Sequence, residues 1–148
     1  MRLSFETDGG AAGKAAIGAI ILQNDETLEP EMRTVFPDIA VYHARIPSAP
    51  DVTPETLKQM EADLPLTAAL LPGSATFSAI GYGCTSGSTI IGPDRVRDLV
   101  RSVHPDAQVT NPLTAVMAAC DTLGVRRIGF LTPYVADVSA AMRGALED

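Results

Sequence analysis

The sequence has few of the residues that build disulfide frameworks or metal sites. Its 148 residues include only two cysteines, Cys84 and Cys120, and two histidines, His43 and His104. Two cysteines cannot make a disulfide framework or a zinc site alone, and the histidines lack a ligand spacing such as HxxxH. We therefore expect reduced thiols, no bound metal and a cytoplasmic location.

Long apolar runs and runs of basic residues are also missing. The longest apolar stretch, residues 15–22, is far shorter than the roughly 20 residues that a membrane-spanning helix needs. Residues 1–14 carry Glu6 and Asp8 and have no apolar segment, so they are interpreted as a flexible arm and not as a secretory signal. A net charge of -7 leaves nothing to neutralise a phosphate backbone. Neither nucleic acid nor a membrane is an expected partner.

The residues that are present form the pattern of one α/β lobe, predicted at residues 15–148. Hydrophobic residues make up 46% and charged residues 20% of the chain, as in an ordinary globular domain. Apolar, β-prone runs alternate with stretches of helical period, which is typical of βα units. The pattern predicts a doubly wound, mostly parallel sheet, Rossmann-like or flavodoxin-like, in a single lobe.

The predicted elements follow the apolar runs and the turn residues between them. Strands are predicted at residues 16–22, 39–46, 76–82, 108–110 and 127–132. Helices are predicted near residues 26–32, from 54 to Pro65, and at 88–103, 112–123 and 135–146. Residues 66–71 fit either a helix extension or an edge segment, and periodicity cannot decide between them.

The motif GYGCTSGS, residues 81–88, joins the third predicted strand to the next helix. Open α/β sheets bind ligands at the carboxyl ends of their strands. The first N–H groups of a helix have no intrahelical partner, so they can hold a carboxylate and favour a thiolate. Cys84 is therefore a candidate reactive thiol, with Thr85, Ser86 and Ser88 as added donors. An inert thiol buried in a glycine-rich turn is an almost equally good interpretation.

No cofactor is expected from the sequence. Gly81-Tyr82-Gly83 lacks the third glycine of a dinucleotide fingerprint, and no GxxxxGK followed by Ser or Thr occurs. Dinucleotide and ATP sites are therefore disfavoured.

Several separated segments resemble the aspartate/glutamate racemase superfamily, especially its maleate cis-trans isomerase and arylmalonate decarboxylase branch. They are IGAIILQNDETLEPEM, GYGCTSGS, NPLTAVMAACDTLGVRRIGFLTPY and the helix start VADV. The resemblance implies two similar α/β lobes with one catalytic cysteine position in each. This chain matches only the first lobe, so the resemblance implies an incomplete site and a missing second lobe or homo-oligomer partner.

The resemblance also implies roles for individual residues. Cys84 corresponds to the first-lobe catalytic thiol, and Thr85 and Ser86 correspond to donors to a substrate carboxylate. Tyr134 corresponds to a tyrosine that donates its phenol to the same carboxylate.

The family has a polar residue just after the first strand. In this sequence it corresponds to Asn24 or Asp25, depending on the alignment, and Asp25 is the closer match. A carboxylate at that position would repel an anionic substrate unless it were protonated. It also resembles the DET pattern of a branch linked to ectoine breakdown.

The leading hypothesis is a cofactor-independent, cysteine-based isomerase, racemase or related lyase that acts on a small carboxylic acid such as a dicarboxylate. A non-catalytic carboxylate-binding or regulatory half is the first alternative. A cysteine hydrolase is weaker, because it needs a histidine base near Cys84. We also expect Cys84 to be alkylated faster than Cys120, which is interpreted as a core thiol.

Overall fold

The strands of the protein form one parallel sheet, seen in a computed structural model that describes residues 4–6 and 15–147. The sheet order is β2-β1-β3-β4. The strands are β1 (Ala16–Leu22), β2 (Ala40–Ile46), β3 (Phe77–Tyr82) and β4 (Gln108–Thr110). The predicted α/β class with a parallel sheet is confirmed, and the order is flavodoxin-like. Most of the arm predicted at residues 1–14 lies outside the described residues.

Helices connect and flank these strands. They are α1 (Leu28–Val35), α2 (Pro54–Ala68), α3 (Thr85–Ile91), α4 (Pro93–Arg101), α5 (Pro112–Leu123) and α6 (Ala136–Glu147). Thr53 and Asn111 cap α2 and α5 through reciprocal hydrogen bonds, and each is followed by a proline. Within the described ranges, no helix is long and apolar enough to cross a bilayer.

Two predicted helix boundaries are wrong. Helix α2 continues through Pro65 to Ala68. Its last turns are buried against the core, and the stabilisation from this burial outweighs the one hydrogen bond that Pro65 cannot donate. The helix predicted at residues 88–103 is two helices. Gly92, with a φ of 94°, stands before Pro93 and breaks the helical path.

The fifth predicted strand does not form. Residues 125–132 have no regular secondary structure, and Ile128, Phe130 and Leu131 are exposed. The edge strand β4, with which a fifth strand of this sheet would pair, has only three residues, so it offers few ladder hydrogen bonds. The β-prone sequence of residues 127–132 therefore has no strand partner within the described part of the chain.

The main core lies on the sheet face covered by α2 and α4. Side chains two residues apart in a strand point to the same face, and β3 contributes Ile80 and Tyr82 to this core. Cys84, which follows Tyr82 by two residues, belongs to the same cluster. The core therefore extends to the carboxyl edge of the sheet, where the candidate site lies.

Candidate active site

The adjacency of β1 and β3 brings the ends of these two strands together. Ile20 pairs with Tyr82, and the N–H of Gly83 donates to the carbonyl of Ile20 at 2.8 Å. A Cβ on Gly83 would lie 2.8 Å from Leu28 Cδ2, so Leu28, the first residue of α1, packs closely against this turn. The loop at residues 23–27 and the turn after β3 therefore lie at one edge of the sheet.

Cys84 is the N-cap residue of α3. Its Sγ accepts a hydrogen bond from the N–H of Gly87 at 3.3 Å and lies 3.7 Å from Ser86 Oγ. Its carbonyl accepts from the N–H and the hydroxyl of Ser88 at 2.9 and 2.6 Å. Cys84 is 4% exposed, so the accessible thiol expected from the motif is not seen.

The two predicted carboxylate donors differ in accessibility. Thr85 and Ser86 occupy the first two positions of α3, where N–H groups have no intrahelical acceptor. Ser86 is buried, whereas Thr85 is half-buried. The third N–H group of the turn, that of Gly87, is already bonded to sulfur. Thr85 is therefore the more accessible donor.

Asp25 holds the start of α1. Its Oδ1 accepts two backbone N–H bonds at 2.9 and 2.7 Å, while Asn24 is exposed. The guanidinium of Arg45 donates to the carbonyls of Gln23 and Asp25 at 3.1 and 2.7 Å and so fixes the loop from the next strand. One carboxylate oxygen of Asp25 therefore has a structural role, and Arg45 positions this loop without having been predicted.

A charged cluster lies beside the same loop. Glu29 is 2.7 Å from Arg45 Nη2 and 3.5 Å from His43 Nδ1. The hydrogen bond from Arg45 is the main reason that the pKa of Glu29 is lowered. Burial lowers the pKa of His43, against the opposing charge of Glu29. His43 Nε2 is buried and has no partner among the described residues.

Neither histidine is placed to act as a base for Cys84. His43 alternates with Ala44, which belongs to the main core, so it faces the opposite side of the sheet. His104 precedes β4, at the amino edge of the sheet, and its Nε2 lies 2.9 Å from the carbonyl oxygen of Ala68. The cysteine hydrolase alternative therefore loses its support.

Tyr82 is a buried neighbour of Cys84 that was not predicted from the sequence. It is 1% exposed, and its hydroxyl donates to Met60 Sδ at 3.6 Å. A Cβ on Gly87 would lie 2.5 Å from Tyr82 Oη and 3.0 Å from Cys84 Sγ. Burial, and then the presence of Cys84, raise the pKa of Tyr82. The spacing of two residues between Tyr82 and Cys84 could have indicated that they share a face.

Solved structures with a similar fold are maleate isomerases and arylmalonate decarboxylases. A maleate isomerase variant from Pseudomonas putida S16, solved with maleate, gives a TM-score of 0.75 at 18% identity and covers 89% of this chain and 58% of its own. A Nocardia farcinica maleate cis-trans isomerase variant with a covalently bound succinylcysteine intermediate gives 0.75 at 21%, covering 86% and 56%. A double variant of arylmalonate decarboxylase gives 0.71 at 23%, covering 89% and 56%. This chain shares their fold.

The resemblance predicted from the motifs is thus confirmed for the fold. The chain spans 58% of the Pseudomonas enzyme and 56% of the other two, in keeping with a single lobe. No protein-family model matches the sequence, and no curated protein matches it significantly.

Tyr134 lies two residues before the start of α6, the helix that packs against α3. It is half-buried against the main core, and its carbonyl accepts a hydrogen bond from Ser139 Oγ at 3.2 Å. Val138, in the first turn of α6, is fully buried in the same core. The structure therefore places Tyr134 on the α6 side of the site, and its contact with a carboxylate stays a prediction.

Cys120 is not the core thiol that its helical neighbours predicted. Helix α5 buries only Leu113, and Cys120 is half-buried. It lines an open cavity of about 620 Å³ between α5, residues 125–130 and α6. Cys84 lines neither this cavity nor a second one of about 240 Å³ at the amino edge of the sheet. No group of three His, Cys, Asp or Glu side chains suited to a metal occurs in residues 4–6 and 15–147.

Proposed function

We propose that this chain is one lobe of a cofactor-independent, cysteine-based isomerase, racemase or related lyase that acts on a small carboxylic acid, such as a dicarboxylate. One observation carries the proposal: Cys84, Thr85 and Ser86 open a helix at the carboxyl edge of a parallel sheet. The same fold occurs in maleate isomerases and arylmalonate decarboxylases. The second lobe, or a second copy of the chain, supplies the rest of the site.

In the isomerase form of the reaction, the thiolate of Cys84 adds to one alkene carbon of an unsaturated dicarboxylate. The alkene electron pair moves to the neighbouring carbon, which either takes a proton or shares the charge with its carboxylate. The former double bond is now a single bond and rotates. Where a proton was added it is removed again; the electron pair on that carbon then re-forms the double bond as the C–S bond breaks, which releases the other isomer and regenerates the thiolate. Addition of a cysteine to maleate yields a succinylcysteine, the species bound in the Nocardia farcinica variant.

The remaining predicted residues hold the substrate. N–H and hydroxyl groups of Thr85 and Ser86 donate hydrogen bonds to one carboxylate and stabilise the charge that develops beside it. Tyr134 donates a hydrogen bond from its phenol to the same carboxylate, and Asn24 contacts the substrate from the loop after β1. Asp25 participates only through its second oxygen, because Oδ1 is bonded to the start of α1.

Substitution of Cys84 tests the proposal. In the encoded full-length protein, Cys84→Ala reduces turnover to background, because no other thiol lies in the β3–α3 turn. Turnover is measured with maleate, aspartate, glutamate, substituted malonates and ectoine-derived amino acids, and Cys120→Ala is the matched control with activity retained. Unchanged turnover in Cys84→Ala would defeat the catalytic role.

A second candidate function is a carboxylate-binding half without turnover. The burial of Cys84 and the bond from Gly87 N–H to its sulfur favour this candidate. It predicts calorimetric binding of a dicarboxylate that Cys84→Ala leaves unchanged and that Thr85→Val weakens. Turnover of any acid in the panel, lost in Cys84→Ala, would decide against it.

A further inference from the structure

The phenol of Tyr82 and the thiol of Cys84 share one small buried space beside Gly87. Tyr82 is 1% and Cys84 is 4% exposed, so both side chains are removed from water. A methyl group on Gly87 would lie 2.5 Å from the phenol oxygen and 3.0 Å from the sulfur. Both groups therefore lie within contact distance of the same point, the space that residue 87 leaves free by having no side chain.

The present acceptor of the Tyr82 hydroxyl is a weak one. The hydroxyl points at Met60 Sδ at a distance of 3.6 Å, and a thioether accepts hydrogen bonds poorly. A buried hydroxyl that lacks a good partner is costly, and a phenylalanine would fill the same apolar volume without that cost. The hydroxyl is thus explained better by a second acceptor within reach.

The phenol of Tyr82 stays protonated and can therefore donate a hydrogen bond. Burial, with Cys84 as the next cause, raises the pKa of Tyr82, so the hydroxyl keeps its proton at neutral pH. The sulfur already accepts from the N–H of Gly87 and lies near Ser86 Oγ. An ionised sulfur can accept further hydrogen bonds, and bonds to charged acceptors are about twice as strong as neutral ones.

We propose that Tyr82 is a positioning residue for Cys84, whose hydroxyl turns from Met60 to the sulfur and donates to it when the thiol ionises. The proposal rests on the proposed function, in which Cys84 reacts as a thiolate. Tyr82 does not touch the substrate. It fixes the direction of the sulfur and donates a hydrogen bond to the thiolate once that has formed.

The test follows the ionisation of Cys84 directly and needs no turnover. In a Cys120→Ser background, the side-chain chemical shift of isotope-labelled Cys84 is titrated by NMR. We expect Tyr82→Phe to move the titration midpoint up by about one pH unit, a tenfold smaller thiolate fraction below the midpoint. Met60→Leu, which removes only the other acceptor, leaves the midpoint in place or lowers it. An unchanged midpoint in Tyr82→Phe would show that the phenol only packs.

A second variant keeps the test decisive if Tyr82→Phe fails to fold. A ring-fluorinated tyrosine at position 82 keeps the volume but makes the hydroxyl a stronger donor, so the midpoint should fall. A midpoint that does not respond would overturn the proposal. Failure of the proposed function is told apart by turnover. Cys84→Ala would then keep full turnover, whether or not substitution of Tyr82 moves the titration midpoint of Cys84.

Discussion

At the scale of single residues, the two thiols differ in how easily a reagent reaches them. Cys84 is 4% exposed and bonded to the N–H of Gly87, whereas Cys120 is half-buried and lines an open cavity. We expect iodoacetamide to label Cys120 faster than Cys84 in the native chain, the reverse of the order expected from the motif. Peptide mass spectrometry over time measures both rates, and denaturant should remove the difference. Faster native labelling of Cys84 would contradict the observed burial.

His43 should make the stability of the protein depend on pH. Burial lowers its pKa below the ordinary value of 6.5, so the unfolded chain takes up a proton at a higher pH than the folded one. The free energy of unfolding therefore falls as the pH drops through about 6.5 towards the lower folded-state pKa.

Urea unfolding at a series of pH values measures this dependence. Because glutamine does not titrate, His43→Gln should lose less stability than the wild type over the same pH range. His104→Gln is the matched control: it removes the other histidine of the sequence but leaves His43 buried, so the dependence that His43 causes should remain. Equal slopes for His43→Gln and the wild type would contradict the assignment.

The residues of the site divide into those that the sequence could reveal and those that it could not. Cys84 and Thr85 stand in a contiguous motif between a strand and a helix, so their place at the sheet edge follows from local patterns. Tyr82 contacts Met60, which lies 22 residues earlier. Arg45 donates to the carbonyls of Gln23 and Asp25, which lie 22 and 20 residues earlier. Such roles depend on which segments become neighbours in the fold.

At the scale of elements, two helical glycines have opposite surroundings. A Cβ on Gly87, in α3, would meet Tyr82 Oη at 2.5 Å, whereas a Cβ on Gly144, in α6, would have nothing within 4 Å. We expect Gly87→Ala to lower the free energy of unfolding by about 1–3 kcal/mol through overpacking. Gly144→Ala should raise it by up to about 1 kcal/mol through helix propensity. Denaturant titrations measure both changes, and a neutral Gly87→Ala would refute the close packing.

The elements that the sequence predicts well are those with local signals. The apolar run of β1 has its predicted bounds, and α5 starts after Asn111 and ends before Gly124, which takes the left-handed conformation with a φ of 66°. Residues 127–132 look equally strand-like but form no strand, because a strand needs a partner that its own pattern does not specify. Pro65 failed as a stop signal for the same reason: burial of the following turn is a tertiary effect.

At the scale of the whole molecule, the part of the chain that runs from α5 to the start of α6 presents a surface rich in exposed apolar side chains. We call it the α5 surface. Its members lie on α5 and in the segment that follows, and they are between 38% and 97% exposed: Val116, Met117, Leu123, Ile128, Phe130, Leu131 and Val135. Contiguous exposed apolar surface on a soluble domain marks an interaction site. The solved structures of the same fold are longer than this chain, which spans 58% of the Pseudomonas enzyme.

The α5 surface should drive association when these 148 residues are produced alone. We expect size-exclusion chromatography with light scattering to give a mass that rises with protein concentration, because water is excluded from the apolar side chains on contact. Leu123→Asp combined with Leu131→Asp should restore a monomer with unchanged circular dichroism. Leu70→Asp is the matched control, since Leu70 is 72% exposed but lies outside the α5 surface, and it should associate like the wild type. A wild-type mass that stays monomeric at every concentration would mean that the exposed apolar residues do not form an interface between copies of this chain.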